Sequence, residues 1–166
     1  SAMVAPLASL LEPLQSVNSY GLFAVMTTTR REIIVEGSID GVTWLPYEFK
    51  HKPGDLRRAP RWVAPFQPRL DWQMWFAALG RYDGEAWFQT FCVGLLQASP
   101  SVLGLLERDP FEGRRPRFVR GTFYQYHFAD AATRRAQGVW WTRKRLGAYS
   151  PELSLSPAMR GLARYF

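Results

Sequence analysis

Two histidines, one cysteine and fourteen scattered carboxylates are what this 166-residue chain offers for nucleophilic, acid–base or metal chemistry. His51 precedes a proline-rich stretch and His127 lies in an alternating segment, where a histidine serves as a hydrogen-bonded structural residue. No HxxxH or CxxC spacing accompanies them, so neither residue starts a transition-metal ligand set. Glycine-rich phosphate loops and the GxSxG elbow are also absent. Glu36, Glu48, Asp55 and Asp71 are the carboxylates that could converge, but their spacing pairs none of them for acid–base work, and surface or capping roles suffice. Cys92 stands at helical spacing with Phe88, Phe91 and Leu95 in WFQTFCVGLL, the setting of a small buried hydrophobe. On this reading no residue is singled out as catalytic, no metal or cofactor is expected, and this domain alone is not expected to be catalytic, which leaves open whether the whole protein is an enzyme.

The constellation that does carry chemistry is aromatic and arginine-rich. Arg61, Trp62, Arg69 and Asp71, followed far along the chain by Trp140, Trp141 and Arg143, combine flat apolar rings with guanidinium forks, a pairing suited to binding apolar chains, sugar faces or anions. Trp72 and Trp75 fall on one helical face with Phe76 and Leu79 and are expected in the core. Neighbouring residues of a strand point to opposite sides, so Trp62 and one of Trp140 and Trp141 are expected to be exposed. The formal charge is +7, and 18 of the 21 basic residues are arginine. They occur as scattered pairs (Arg30-Arg31, Arg57-Arg58, Arg114-Arg115, Arg134-Arg135), which is the pattern of a solvated surface. A basic face for an anionic membrane is the competing reading, and nucleic acid ranks last because no recognition motif accompanies the charge.

The elements that must position these residues follow from periodicity. Leu7, Leu10, Leu11 and Leu14 suggest a short amphipathic lead-in helix, and from Tyr20 the chain turns to β-type sequence, LFAVMTTT and then EIIVEGS. Ser38-Ile39-Asp40-Gly41 predicts a tight turn into VTWLPYEFK, with Pro46 marking an edge position. Residues 51–69 hold four prolines and predict a long irregular loop, the kind of segment where sites reside. Three helices are expected next: LDWQMWFAAL up to Gly80, buried nearly all round; a second over about 84–98; and a third from Ser99-Pro100 to Asp109-Pro110. FVRGTFYQYHF reads as a long strand with Phe118, Arg120, Thr122, Tyr124, Tyr126 and Phe128 on one side, ADAATRRAQG as a polar loop and VWWTRKRL as a strand. Leu153, Leu155 and Tyr165 are the packing residues of the C-terminal tail.

The blocks NSYGLFAVMTTTRREIIVEGSIDGVTWLPYEFKHKPGD, PRLDWQMWFAALG, and FYQYHF with VWWTRKRLGAY resemble the C-terminal region of lipase maturation factors over Asn18 to about Leu155. The resemblance implies a non-cytosolic domain of a multi-pass membrane protein. Animal members reside in the endoplasmic reticulum and assist secreted lipases. The arginine-rich composition and single cysteine point to a bacterial member, in the cell envelope. The partners implied are a secreted lipase or other client and the protein's own membrane part, with no nucleic acid. Within this, IIVEGSIDGVTW is similar to a hairpin of discoidin-like, galactose-binding-type β-sandwiches, in which Gly37, Ser38, Asp40, Gly41 and Trp44 would be scaffold, Trp44 covering the core.

The expected fold is therefore α+β: an antiparallel, jelly-roll-like β-sandwich with an insertion of about three helices at about 69–110. Residues 1–3 read as the scar of a cleaved tag, 4–17 as a linker or lead-in helix, and 18–166 as a single domain. Three functions compete. A client-binding, folding-assistance domain predicts an exposed apolar patch. A carbohydrate- or lipid-headgroup-binding module predicts a polar pocket with aromatic walls at one end of the sandwich. An accessory domain predicts an active site in a membrane-embedded part.

Overall fold

The computed structural model describes residues 30–63, 65–83 and 85–155. The lead-in helix, the strand over 20–29 and Tyr165 lie outside the described residues. The elements are β1 (Arg30–Ser38), β2 (Leu45–Pro46), β3 (Glu48–Phe49), α1 (Arg69–Leu79), α2 (Ala86–Leu96), α3 (Pro100–Leu103), β4 (Leu106–Arg108), β5 (Phe118–Phe128), α4 (Ala131–Gln137) and β6 (Trp141–Ala148). The fold is α+β, with an antiparallel four-stranded sheet in the order β2-β1-β5-β6 and an antiparallel two-stranded sheet of β3 and β4. Among the described residues the larger sheet is open, with β2 and β6 at its edges.

β1 and β5 are the spine. They pair without interruption from Arg30↔Tyr126 to Ser38↔Phe118, so alternate residues are delivered to opposite faces of the sheet. One face sends Ile33, Val35 and Val119, with Phe123 packed beside them, into the main core against Met74, Ala77 and Ala78 of α1 and Phe88, Cys92 and Leu95 of α2. The other face carries Ile34, Tyr126 and Trp141 beneath Leu56, Tyr124 and Trp140. The sheet is thus roofed by helices on one side and by a loop on the other. Cys92 sits in the helical core as expected, and burial pushes its thiol up to about 12, which keeps it protonated and unreactive.

The turn after β1 forms where the sequence places it. Gly41 supplies a φ of +81° that a side-chain-bearing residue rarely adopts. The Asp40 carboxylate accepts hydrogen bonds from the Thr43 N–H at 2.7 Å, the Val42 N–H at 2.9 Å and the Ser38 hydroxyl at 2.9 Å. Those donors, the Thr43 N–H foremost, hold the Asp40 carboxyl well below the usual carboxylate range. Because the folded-state value is the depressed one, its stabilising effect is complete at neutral pH, begins to fade below the ordinary carboxylate value and is lost as pH falls through the depressed one. An Asp40→Ala variant is expected to melt below the wild type at neutral pH, with the gap in Tm starting to narrow only below about pH 4 and closing only once the pH falls beneath the depressed folded-state value. Pro46 is on the edge strand β2, as expected. Trp44, expected over the core, is half-buried and carries the Arg120 guanidinium 3.7 Å from its ring centroid.

Three further expectations change. The third helix stops at Leu103, and Leu106–Arg108 pairs with β3 in its place, because the buried Leu106 side chain is needed by the core on that sheet. The polar stretch after β5 is a helix, α4, started by the Asp130 carboxylate accepting from the Thr133 N–H at 2.7 Å and ended at Gly138. It has no apolar face, which is why periodicity misses it. Finally, α1 is only half-buried: Leu70, Asp71, Met74, Ala77 and Ala78 face inward, while Trp72, Phe76 and Leu79 are 44%, 38% and 47% exposed. Both stripes of the helix are apolar, and the one with two alanines wins because small side chains let α1 lie close on β1.

Candidate functional site: a cationic pocket and an aromatic ridge

The loop that links β3 to α1 is built around buried charges. At the first turn of α1 the fully buried Asp71 Oδ1 accepts the backbone N–H groups of His51 at 2.8 Å and Lys52 at 2.9 Å. Lys52 is turned inward, with its ammonium 3.4 Å from Glu32 Oε2 and donating to the Pro53 carbonyl at 3.2 Å. Burial draws the Lys52 pKa below its ordinary value, while Glu32, Glu48 and Asp71 oppose the shift. Glu32 also accepts from Arg30 Nε at 2.8 Å.

Glu48 on β3 holds the next turn. It accepts the Asp55 N–H at 3.2 Å and faces Arg58 Nη2 at 3.6 Å. A Cβ at Gly54 would come within 2.4 Å of its carboxylate, so only glycine lets the loop pass this closely. Arg58 donates to the carbonyls of Phe49 and Lys52, both at 2.6 Å. From the sheet, the Tyr126 hydroxyl donates to the Gly54 carbonyl at 2.7 Å, and Trp141 Nε1 donates to the Arg58 carbonyl at 2.9 Å. Burial pushes the Tyr126 hydroxyl up to about 12, so it stays neutral and able to donate. The backbone N–H groups of Trp140 and Trp141 both reach the Leu56 carbonyl, at 2.8 and 3.1 Å. The expected irregular loop is therefore a fixed cover, held by side chains and backbone from α1, β3, β5 and β6.

Between this cover and the end of the sheet lies a cavity of about 120 Å³ lined by Arg30, His51, Lys52, Arg58, Arg61 and Gln67, with Phe128 and Trp141 as aromatic walls. Arg61 and Trp141, distant in sequence, meet here. Trp141 is buried and stacks on Phe128 at 4.4 Å. Arg61 reaches away to Glu107 with a two-pronged contact at 2.7 and 3.0 Å. Trp62 is 87% exposed, matching its expected position. Trp140 is half-buried under the Arg134 guanidinium, 4.4 Å from its ring centroid. Arg143 is committed to Tyr126, donating to its hydroxyl at 3.0 Å and covering the Tyr124 ring. Arg69 is exposed at the start of α1 and Asp71 is buried, so neither lines the cavity. Sequence reasoning missed Arg30, Lys52, Arg58 and Phe128, because a lysine or arginine in a loop gives no signal that it will be drawn beneath a sheet. The only signal was the proline-rich character of the loop itself.

On the helical side, Trp72, Phe76 and Trp87 with Gln73, Ala77 and Glu85 line an open groove of about 330 Å³. Trp72 meets the Phe76 ring edge-on at 4.5 Å, and Trp75 meets it at 5.1 Å. The Trp87 indole N–H donates to the Glu85 carboxylate. The side chains expected in the core are thus a ridge that faces solvent. Among the described residues no group of three or more His, Cys, Asp or Glu side chains is placed to hold a metal ion, and no helix is long and apolar enough to cross a membrane.

Fold and site together define an α+β domain in which an open antiparallel sheet carries a loop-built cationic pocket on one face and a helix with an exposed aromatic ridge on the other. The chain belongs to the lipase maturation factor family: the family described as lipase maturation factor C-terminal domain matches residues 16–151. It is 46% identical over 154 residues to lipase maturation factor 1 of Bos taurus, covering 88% of this chain and 28% of that protein. It is 44% identical over 163 residues to lipase maturation factor 2 of Homo sapiens, covering 94% of this chain and 23% of that protein. The chain spans only about a quarter of the length of these relatives. No solved structure matches it.

Proposed function

We propose that this domain assists the maturation of secreted lipase-type clients by binding them on the non-cytosolic side of a membrane, as part of a longer membrane protein. The observation that carries the reading is the α1 ridge. Three large apolar side chains, Trp72, Phe76 and Leu79, stay in water on a helix whose other face is fully packed. Exposed aromatic side chains on a rigid element are the anchors that protein interfaces are built on, and large apolar clusters are not left in water without a partner. A client still lacking its final packing offers complementary apolar segments. The names of the relatives, lipase maturation factors 1 and 2, supply the client class.

The test is a Trp72→Ala/Phe76→Ala variant of the full-length protein, co-expressed with a secreted lipase. Both side chains lie outside the core, so the fold is retained. Two anchor residues removed together correspond to roughly a tenfold or greater loss of affinity. Recovery of client on the tagged protein, and secreted lipase activity, should fall accordingly. Unchanged recovery and activity would sink this reading.

A further inference from the structure

The pocket at the sheet end has a composition that client binding does not require. Its lining contains four cationic side chains, Arg30, Lys52, Arg58 and Arg61, and no carboxylate. The acids that pair with them stand behind them, outside the cavity: Glu32 with Arg30 and Lys52, Glu48 with Arg58, and Glu107 with Arg61. Arg30 gives only its Nε to Glu32, and among the described residues its terminal nitrogens make no hydrogen bond. His51 Nδ1 is likewise buried without a partner. Lys52 is turned to Glu32, the Arg58 terminal nitrogens go to the Phe49 and Lys52 carbonyls and Arg61 reaches to Glu107, so Arg30 is the cation whose terminal nitrogens are left for an oxyanion, with the other three supplying positive charge around it. A volume of about 120 Å³ is that of roughly four waters, which suits one phosphate group. A sugar would need neutral donors and acceptors around a flat ring, and this lining offers charge.

Three exposed aromatic side chains belong to the elements that line the cavity. Trp62 and Phe66, each 87% exposed, belong to the same loop as the lining residues Arg61 and Gln67, and Phe128, itself a wall of the cavity, is 66% exposed. The next hairpin continues the positive charge. Arg134 and Arg135 on α4 and Arg143, Lys144 and Arg145 on β6 are all exposed, and none forms a salt bridge among the described residues. Arg134 lies on Trp140, next to the cavity wall Trp141, so the two basic regions adjoin. Exposed tryptophan and phenylalanine set among arginines is the composition of a surface that sits at the membrane–water boundary, where rings enter the headgroup layer and cations meet anionic lipid.

We propose that this end of the domain docks on an anionic membrane surface, with the pocket taking the phosphate of a lipid headgroup while Trp62, Phe66 and Phe128 enter the interface. The ridge of α1 plays no part in this contact, so loss of client binding and loss of membrane docking are separable.

Vesicles of phosphatidylcholine with and without phosphatidic acid, mixed with the 166-residue chain, provide the test. Co-sedimentation should be about tenfold or more stronger on the anionic vesicles and should fall with added salt. Trp62→Ala/Phe66→Ala, which removes only exposed side chains, should lower it at least tenfold, whereas Trp72→Ala/Phe76→Ala should leave it unchanged. Brominated acyl chains should quench tryptophan emission in the wild type and less in Trp62→Ala. Equal binding to both kinds of vesicle, no binding, or no effect of Trp62→Ala/Phe66→Ala would overturn the proposal. Thermal stabilisation by inorganic phosphate without vesicle binding would show free phosphate as the occupant and would overturn the membrane part. Binding to an acidic polypeptide that matches vesicle binding and ignores Trp62→Ala/Phe66→Ala would do the same.

Discussion

Replacing Glu32 by glutamine is expected to cost about 3–5 kcal/mol of stability, which for a domain of this length is a fall in Tm of about 6–20 °C. Glu32 is fully buried and balances two cations, the exposed-edge Arg30 at 2.8 Å and the buried Lys52 at 3.4 Å. Glutamine keeps the shape of the side chain and removes the charge. Arg30 can turn to water, since it is 45% exposed, but the Lys52 side chain is 2% exposed and loses its ion-pair partner, keeping the Pro53 carbonyl and the weaker pull of the Glu48 and Asp71 carboxylates. An uncompensated buried charge is the most expensive single fault of this kind. The double variant Glu32→Met/Lys52→Met should regain most of the loss, because two apolar side chains of similar volume need no compensation. Chemical denaturation of the three proteins checks both expectations. A single variant as stable as the wild type would mean that Lys52 reaches water or sheds its proton without cost.

The second large effect belongs to Trp141. Truncation to alanine should cost about 3–5 kcal/mol, and its consequence should be local as well as global. The indole is buried, donates to the Arg58 carbonyl at 2.9 Å and stacks on Phe128 at 4.4 Å. It is therefore both core and fastening. Hydrogen exchange over residues 51–62 should accelerate beyond what the change in global stability explains, and trypsin should cut first at Arg57, Arg58 or Arg61. Trp141→Phe, which fills much of the same space without the N–H, should lose roughly 1–2 kcal/mol, the worth of the hydrogen bond to the loop. Uniform acceleration along the whole chain in Trp141→Ala would count against the fastening role.

Much of the fold could be read from periodicity. The β5 strand falls on the predicted FVRGTFYQYHF, and the turn at Asp40-Gly41, the edge position of Pro46 and the burial of Cys92 all follow from local rules. These features are legible because a two- or four-residue repeat fixes each of them. What misleads is α1. Its sequence offers two apolar stripes of similar strength, and only close packing on β1 decides that the alanine stripe is buried while Trp72 and Phe76 are turned out. The end of α3 is equally non-local, since Leu106 becomes a strand residue only because Phe49, more than fifty positions earlier, provides its partner. The candidate site was half-legible. Arg61 and Trp141 are distinctive residue types in distinctive settings, and they do meet. Lys52 and Glu32 have no local signature, because nothing near either residue announces that a charge will be buried and matched from another element.

Asp71 and Trp72 are consecutive residues of α1. The first fixes two peptide groups of the loop beneath the pocket, and the second belongs to the ridge on the outer side of the same helix. The helix is in this sense a lever with one end bolted. Any tilt or rotation that re-aims Trp72 toward a guest must either carry the floor of the pocket along or break the two hydrogen bonds that Asp71 receives. Ridge and pocket floor are therefore joined at a single carboxylate, a joint that truncating Trp72 or Phe76 leaves in place.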